Sequence, residues 1–138
     1  MITYADEISV ADYTMLRASA GWRALSPAQA QKALAGSAFQ IAARDGGRTV
    51  GMTRLMTDNG YFAVVLDVVV LPEYQGQGIG REMLTRAVRH IQAGLQPGEH
   101  SYTILTSAPG KEGFYEKVGF HCVPNEEEGA GLVMRMVG

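Results

Sequence analysis

The sequence predicts an α+β (α/β/α) fold: a mixed, mostly antiparallel sheet of six to seven strands with about four helices. Three observations carry this. Between positions 38 and 71, strand-type segments are separated by Asp45-Gly46-Gly47 and Asp58-Asn59-Gly60, the tight-turn chemistry of a three-stranded antiparallel meander. Residues 63–71 are apolar except for Asp67, which implies cover on both faces. A glycine-rich turn and an amphipathic helix then separate that strand from a second β-rich segment at 101–106, so a right-handed parallel crossover should join the two.

In chain order, residues 2–4 suit a short first strand. Ser9 to Asp12 has the S-x-x-D form of a helix start, and Val10, Tyr13, Leu16 and Ala20 recur at helical spacing before Gly21. Trp22, the only tryptophan, either packs in the core or over that helix end, or walls an acceptor pocket. Ser26-Pro27-Ala28-Gln29 opens a second helix that should end at Gly36. Strands follow at 38–44, 48–56 and 61–71, and Pro72, having no N–H, ends the pairing of the last. Beyond Gly76, Gly78 and Gly80, the residues Ile79, Met83, Leu84, Ala87, Val88 and Ile91 form one helical face, with Arg81, Glu82, Arg86 and Arg89 opposite. After the strand at 101–106, a short helix should run from Ala108 to Val118, with Gly119 as its C′ residue. Phe120–Val123 and Leu132–Val137 read as two last strands, joined through the solvated loop Asn125-Glu126-Glu127-Glu128-Gly129.

Composition excludes several classes. The 138 residues fit a single domain spanning 1–138. A net charge of −2 gives no basic footprint for nucleic acid. The lone Cys122 excludes an intramolecular disulfide and suits a reducing compartment. No signal peptide is visible at the N-terminus and no apolar run approaches membrane-spanning length, so a cytoplasmic location and no membrane partner are expected.

A glycine turn that opens a helix presents unpaired N–H groups at the positive end of a dipole, which is a site for phosphate. A nucleotide-binding P-loop needs Lys-Ser or Lys-Thr after its last glycine, whereas Gly80 is followed by Arg81-Glu82. A dinucleotide fingerprint needs G-x-G-x-x-G after the first strand of a doubly wound sheet, whereas the spacing here is G-x-G-x-G after a meander. The pyrophosphate loop of acetyl-CoA-dependent acyltransferases fits. The stretch Val68-Val69-Val70-Leu71-Pro72-Glu73-Tyr74-Gln75-Gly76-Gln77-Gly78-Ile79-Gly80 closely resembles the signature of the GNAT (GCN5-related N-acetyltransferase) family, in which a Val-rich strand leads to Pro and then Gln/Arg-x-x-Gly-x-Gly/Ala. Downstream, Gly113-Phe114-Tyr115-Glu116-Lys117-Val118-Gly119-Phe120 resembles the family's Phe-Tyr-x-x-x-Gly-Phe segment, and the order of elements agrees over nearly the whole chain.

That resemblance implies a GNAT fold with a central V-shaped splay, acetyl-CoA as cosubstrate and no metal. It implies that Gln75, Gly76, Gln77, Gly78, Ile79, Gly80 and Arg81 bind the cofactor, with the N–H groups of Gln77 to Arg81 pointing at the pyrophosphate oxygens. The pantetheine arm would lie along strand 61–71 and pair with the backbone of Val68 and Val70 like an added strand. The thioester would sit near Val68-Val69, where a backbone N–H polarises its carbonyl. Tyr115 matches the family tyrosine that acts as acid toward the departing thiolate. With a phenol near pKa 10 and a thiol near 8.5, full transfer is uphill by roughly 2 kcal/mol, so a strong hydrogen bond is the better description.

The base is less legible. A glutamate used by the histone-acetylating branch would fall at position 64, which is Val64 here. Asp67 is the one charge in the apolar strand, and burying it unpaired would cost several kcal/mol or raise its pKa. By resemblance to polyamine-type members it is expected to face the acceptor, as a binding group or water-mediated base; the competing reading is a structural carboxylate. His121 is a weaker candidate, and Cys122 as an acyl carrier is disfavoured because the family transfers directly. The expected function is an N-acetyltransferase acting on the amine of a small-molecule acceptor. The alternatives are a protein or peptide (N-terminal or lysine) acetyltransferase and a non-catalytic acyl-CoA-binding regulatory domain. A homodimer is compatible with the resemblance.

Overall fold

The first two helices are set by their caps. The computed structural model describes all residues Met1–Gly138. After strand β1 (Ile2–Ala5), helix α1 (Val10–Ser19) starts where Ser9 Oγ accepts from the Asp12 N–H at 3.1 Å. Asp12 does not complete the reciprocal half of the box. Its carboxylate instead accepts from the buried Thr49 hydroxyl at 2.6 Å, which ties α1 to the sheet. Helix α2 (Pro27–Ala35) starts the same way, with Ser26 Oγ accepting from the Gln29 N–H at 3.1 Å and Pro27 in the first turn. Tyr13 and Leu16 of α1, and Ala30 and Leu34 of α2, are buried.

The meander forms as the turns require. Strands β2 (Phe39–Asp45), β3 (Arg48–Thr57) and β4 (Phe62–Val70) pair antiparallel in sequence, and β1 pairs antiparallel with β2 at the edge. The turn between β3 and β4 is organised by Asp58, whose Oδ1 accepts from the N–H groups of Gly60, Tyr61 and Phe62 at 2.7, 3.0 and 3.1 Å. Helix α3 (Ile79–Ala93) packs against β2, β3 and β4 with Ile79, Met83, Leu84 and Ala87 buried. Burying each of Ile79, Met83 and Leu84 contributes about 1.5–3 kcal/mol. Gly51 permits the close approach of helix to sheet: a Cβ there would lie 3.1 Å from both Met83 Cε and the Val69 carbonyl oxygen. Strand β5 (Tyr102–Ile104) follows and pairs parallel with β4, the crossover expected from the intervening helix.

The sheet has five strands in the order β1-β2-β3-β4-β5, not six to seven. Residues 120–123 and 132–137, expected as strands, form none. β-type composition makes a strand only where neighbouring backbone supplies partners. No strand pairs beyond β5, and Leu132, Val133, Met134, Met136 and Val137 remain 71–96% exposed. Helix α4 (Glu112–Glu116) is shorter than expected and begins after a turn in which the Lys111 N–H donates to the Ala108 carbonyl at 3.1 Å. The chain forms two compact units, Met1–Thr106 and Ser107–Gly138. In the second, Gly119 ends the α4 turn at φ 116°, and Asn125 Oδ1 organises the following loop by accepting from the Glu127 and Glu128 N–H groups, both at 2.9 Å. No helix is long and apolar enough to cross a membrane.

Candidate active site

The glycine turn has the geometry of an anion cradle. Gly76 and Gly78 adopt φ of 78° and 83°, a region that residues with a Cβ enter only at a cost of about 1–2 kcal/mol. Gly78 is the N-cap of α3, no side chain caps that helix, and the Glu82 N–H is bonded to the Gly78 carbonyl at 3.0 Å. The N–H groups of the first turn, Ile79, Gly80 and Arg81, therefore have no side-chain acceptor. A Cβ at Gly76 or Gly78 would meet no protein atom within 4 Å, so the left-handed backbone, rather than internal crowding, makes glycine necessary there. The Ile79 side chain is buried in the core, and only its backbone is available to a ligand. Gln77 and Arg81 are exposed. The Gln75 amide turns back and donates to the Val70 carbonyl at 3.0 Å, bracing the turn against the end of β4.

The entry to the turn is also held from the β2–β3 hairpin. Pro72–Tyr74 form a single 3-10 turn. Within it the Tyr74 hydroxyl donates to Asp45 Oδ2 at 2.7 Å, and Glu73 accepts from Arg48 at 2.7 Å. The hydrogen bond from Tyr74 holds the Asp45 carboxyl below its ordinary range, and the same bond raises the Tyr74 phenol.

Strand β4 leaves one side open where a thioester arm would need it. Strand β5 pairs only with Phe62, Ala63 and Val64, so the two strands part there and residues 65–70 have no strand of the sheet on that side. On the other side the β3 register shifts: Arg54 faces Leu66 whereas Met52 faces Val69, placing Asp67 and Val68 opposite Thr53 alone. This is a bulge with one extra residue, and bulges locally disrupt the ladder and bend the strand. The Thr53 hydroxyl donates to the Leu66 carbonyl at 3.0 Å beside it. Asp67 takes the left-handed conformation, φ 55°, where such bulges usually place glycine. Val68 and Val70 are half-buried, while Val69 points into the core.

Asp67 is fully engaged by side chains. Its Oδ2 accepts from Arg54 Nε and the Tyr13 hydroxyl, both at 2.6 Å, and its Oδ1 accepts from Arg17 Nη1 at 3.2 Å. The three charged side chains are only 11–15% exposed. Arg54 also donates to the Ala33 carbonyl and the Ser37 hydroxyl at the end of α2. The guanidinium of Arg17 lies over the rings of Tyr13 and Trp22 and donates to the Arg23 carbonyl, while its Nε is buried without an acceptor. Burial, reinforced by the bond to Asp67, pushes the Tyr13 phenol up. Arg17 and Arg54 were not singled out from the sequence. The available signal was an arginine in a largely buried strand, antiparallel to the strand with the lone acid.

In the second unit, Tyr115 lies on α4, edge-on to the rings of Phe114 and Phe120, with centroids 5.0 and 6.3 Å away. Burial raises its phenol above 10.0, so it is a protonated donor at neutral pH. His121 is exposed and bonded through Nε2 to Glu128, which sets this glutamate apart from its two solvated neighbours. Cys122 is exposed and free.

The residues of the first unit fit acetyl-CoA. The turn offers backbone donors and a helix dipole to a pyrophosphate, and the adjoining strand offers an open side to an amide-bearing arm. Comparison with known proteins agrees. The model of the acetyltransferase (GNAT) domain family matches residues 9–136, and the chain belongs to that family. It is 34% identical over 82 residues to the uncharacterized N-acetyltransferase ycf52 of Porphyra purpurea, covering 59% of this chain and 45% of that one. It is 38% identical over 88 residues to serotonin N-acetyltransferase 2 of Oryza sativa, covering 64% and 42%. The chain thus spans less than half the length of these two relatives. Among solved structures, a probable acetyltransferase of meticillin-resistant Staphylococcus aureus superposes with a TM-score of 0.86 at 27% identity, covering 99% of this chain and 100% of that one.

Proposed function

We propose that the chain is an acetyl-CoA-dependent N-acetyltransferase domain, a single functional unit over residues 1–138, that acts on the amine of a small molecule. The observation that carries this is the uncapped, left-handed glycine turn at the start of α3, continuous with a strand whose far half is unpaired on one side. In this reading the N–H groups of Gln77 to Arg81, with Gln75 and Gly76 shaping the turn, hold the pyrophosphate. The backbone of Val68 and Val70 pairs with the pantetheine arm, and an N–H at Val68-Val69 polarises the thioester carbonyl. The amine nitrogen bonds to the carbonyl carbon, the carbon–sulfur bond breaks, and the sulfur leaves as thiolate. Tyr115 donates a hydrogen bond to that sulfur, and the proton lost by the amine reaches it through solvent. The raised phenol pKa supports a donor that stays protonated over one that transfers its proton outright.

Asp67 enters this reading in a revised role. Both oxygens of the Asp67 carboxylate already accept from side chains, two guanidinium groups and a phenol, so in this reading the amine's proton is taken by water. The small-molecule acceptor is supported by Val64, which stands where the histone-acetylating branch uses glutamate, and by the rice relative named for a small amine. A histone acetyltransferase of Glycine max, 33% identical over 82 residues, keeps the protein-acceptor reading as the competitor.

The deciding experiment measures free CoA release from acetyl-CoA with a panel of small amines, lysine peptides and peptide N-termini. Release with small amines is expected. Release only with peptides would transfer the assignment to the protein-acetylating class. Tight acetyl-CoA binding with no release from any acceptor would favour a non-catalytic binding domain.

A further inference from the structure

We propose that Asp67 is a positioning residue that joins helices α1 and α2 to the part of β4 carrying the carbonyl-polarising N–H. The inference rests on the catalytic reading above and assigns the control of that geometry. Helix α1 and strand β3 meet on this one carboxylate of β4, and α2 joins through Arg54. Arg17 and Tyr13 arrive from α1, and Arg54 arrives from β3 while also holding the Ala33 carbonyl and Ser37 at the end of α2. The carboxylate itself stands on the extra residue of the bulge, in the left-handed conformation that residues with a Cβ populate sparsely. That conformation sets the direction of the next peptide unit, and hence of the Val68 N–H. The cluster is not built for stability alone. It contains both the left-handed Asp67 and the orphaned Arg17 Nε, and such costs concentrate where geometry matters more than binding energy. Two positive charges face one negative charge, so the carboxylate is also what keeps Arg17 and Arg54 together.

A base, a positioning residue and a merely structural residue behave differently on substitution. Asparagine tolerates the left-handed backbone and keeps one acceptor oxygen, so Asp67→Asn removes the charge and turns one accepting position into a donor. Positioning predicts that Asp67→Asn lowers kcat about tenfold while the acetyl-CoA Kd changes by less than about threefold. Adding Arg17→Met, which removes the surplus charge and keeps an apolar stem, should recover kcat by about threefold. The pH profile of kcat/KM should keep its acid limb in both variants. Loss of that limb, with the double variant as inactive as the single, would make Asp67 a base and overturn the proposal. Unchanged kcat with only a lower urea midpoint would make it structural and overturn it equally. Should Asp67→Asn not fold, Arg17→Met alone is expected to lower kcat by about threefold, and unchanged kcat there rejects the proposal. Wild-type protein that releases no CoA with any amine or peptide overturns the catalytic reading and this inference with it. Wild-type turnover matched by Asp67→Asn overturns this inference alone.

Discussion

Arg54 Nε lies 2.6 Å from Asp67 Oδ2, across the irregular pairing where β4 gains its extra residue. This contact joins the strand that would carry the acyl donor to the strand that supports the end of α2. Its partners are 13 residues apart in sequence but adjacent because the β3–β4 hairpin folds them together.

Arg54→Met should therefore destabilise the fold more than an ordinary surface charge would. It leaves Asp67 with Arg17 and Tyr13 only, and removes donors from the Ala33 carbonyl and Ser37. Breaking one side of a mostly buried ion pair costs about 3–5 kcal/mol, and the remaining Arg17 should hold the loss near the lower figure. Urea unfolding of the two proteins reads this directly. A change below about 1 kcal/mol, the ordinary value of an exposed pair, would show that the network contributes little.

Most of the first unit was legible because its signals are local. Ser9 and Ser26 cap their helices with neighbouring N–H groups, Asp58 closes its own turn, and the glycines of the main turn precede a helix with a clear apolar face. What failed needed distant partners. The segment 132–137 has strand composition but no paired backbone, so composition alone misled. The lone charge of Asp67 marked it as a residue with a partner or a task. Yet Arg17 is 50 residues away, and no sequence spacing announces that contact. The left-handed turn of Asp67 was likewise invisible, since aspartate signals a turn only when flanked by turn residues, and here it stands in a run of valines and leucine.

Acid should weaken the molecule below the ordinary carboxylate range. Hydrogen bonds from the Gly60 and Phe62 N–H groups hold the Asp58 carboxyl below 3.8, and the Tyr74 hydroxyl does the same for Asp45. A depressed folded-state pKa contributes stability that is present above the unfolded value and is lost as pH falls through the folded one. Urea midpoints should be level from pH 7 to about 5 and fall below about 4. Asp58→Asn should flatten part of that fall; an unchanged slope would remove Asp58 as a contributor.

Two substitutions at Gly78 separate backbone strain from electrostatics. Gly78→Ala forces a Cβ into φ 83° without meeting any protein atom, so its cost is conformational, about 1–2 kcal/mol. Gly78→Asp adds to that a negative charge at the N-terminus of α3, favourable to the helix and unfavourable to a bound pyrophosphate. Asp should thus fold at least as well as Ala yet abolish acetyl-CoA binding, while Ala weakens it about tenfold. Calorimetric titration with acetyl-CoA decides; equal affinities for wild type and Gly78→Asp would displace the pyrophosphate from this turn.

Tyr115 gives the sharpest pH test. Burial raises its phenol above 10.0, so the protonated, hydrogen-bond-donating form persists through the range in which an acceptor amine becomes neutral. Wild-type kcat/KM should rise with pH as the amine loses its proton, and any fall caused by Tyr115 should begin only above pH 10. Tyr115→Phe removes the donor and keeps the ring against Phe114 and Phe120. Losing one hydrogen bond to a developing anion should lower kcat about 10- to 100-fold with little change in acetyl-CoA Kd. The rising limb should survive in the variant because it belongs to the amine, while the fall above pH 10 should vanish. A fully active Tyr115→Phe enzyme would exclude the phenol from the reaction. Loss of the rising limb in that variant would instead identify Tyr115 as part of the path that removes the amine's proton.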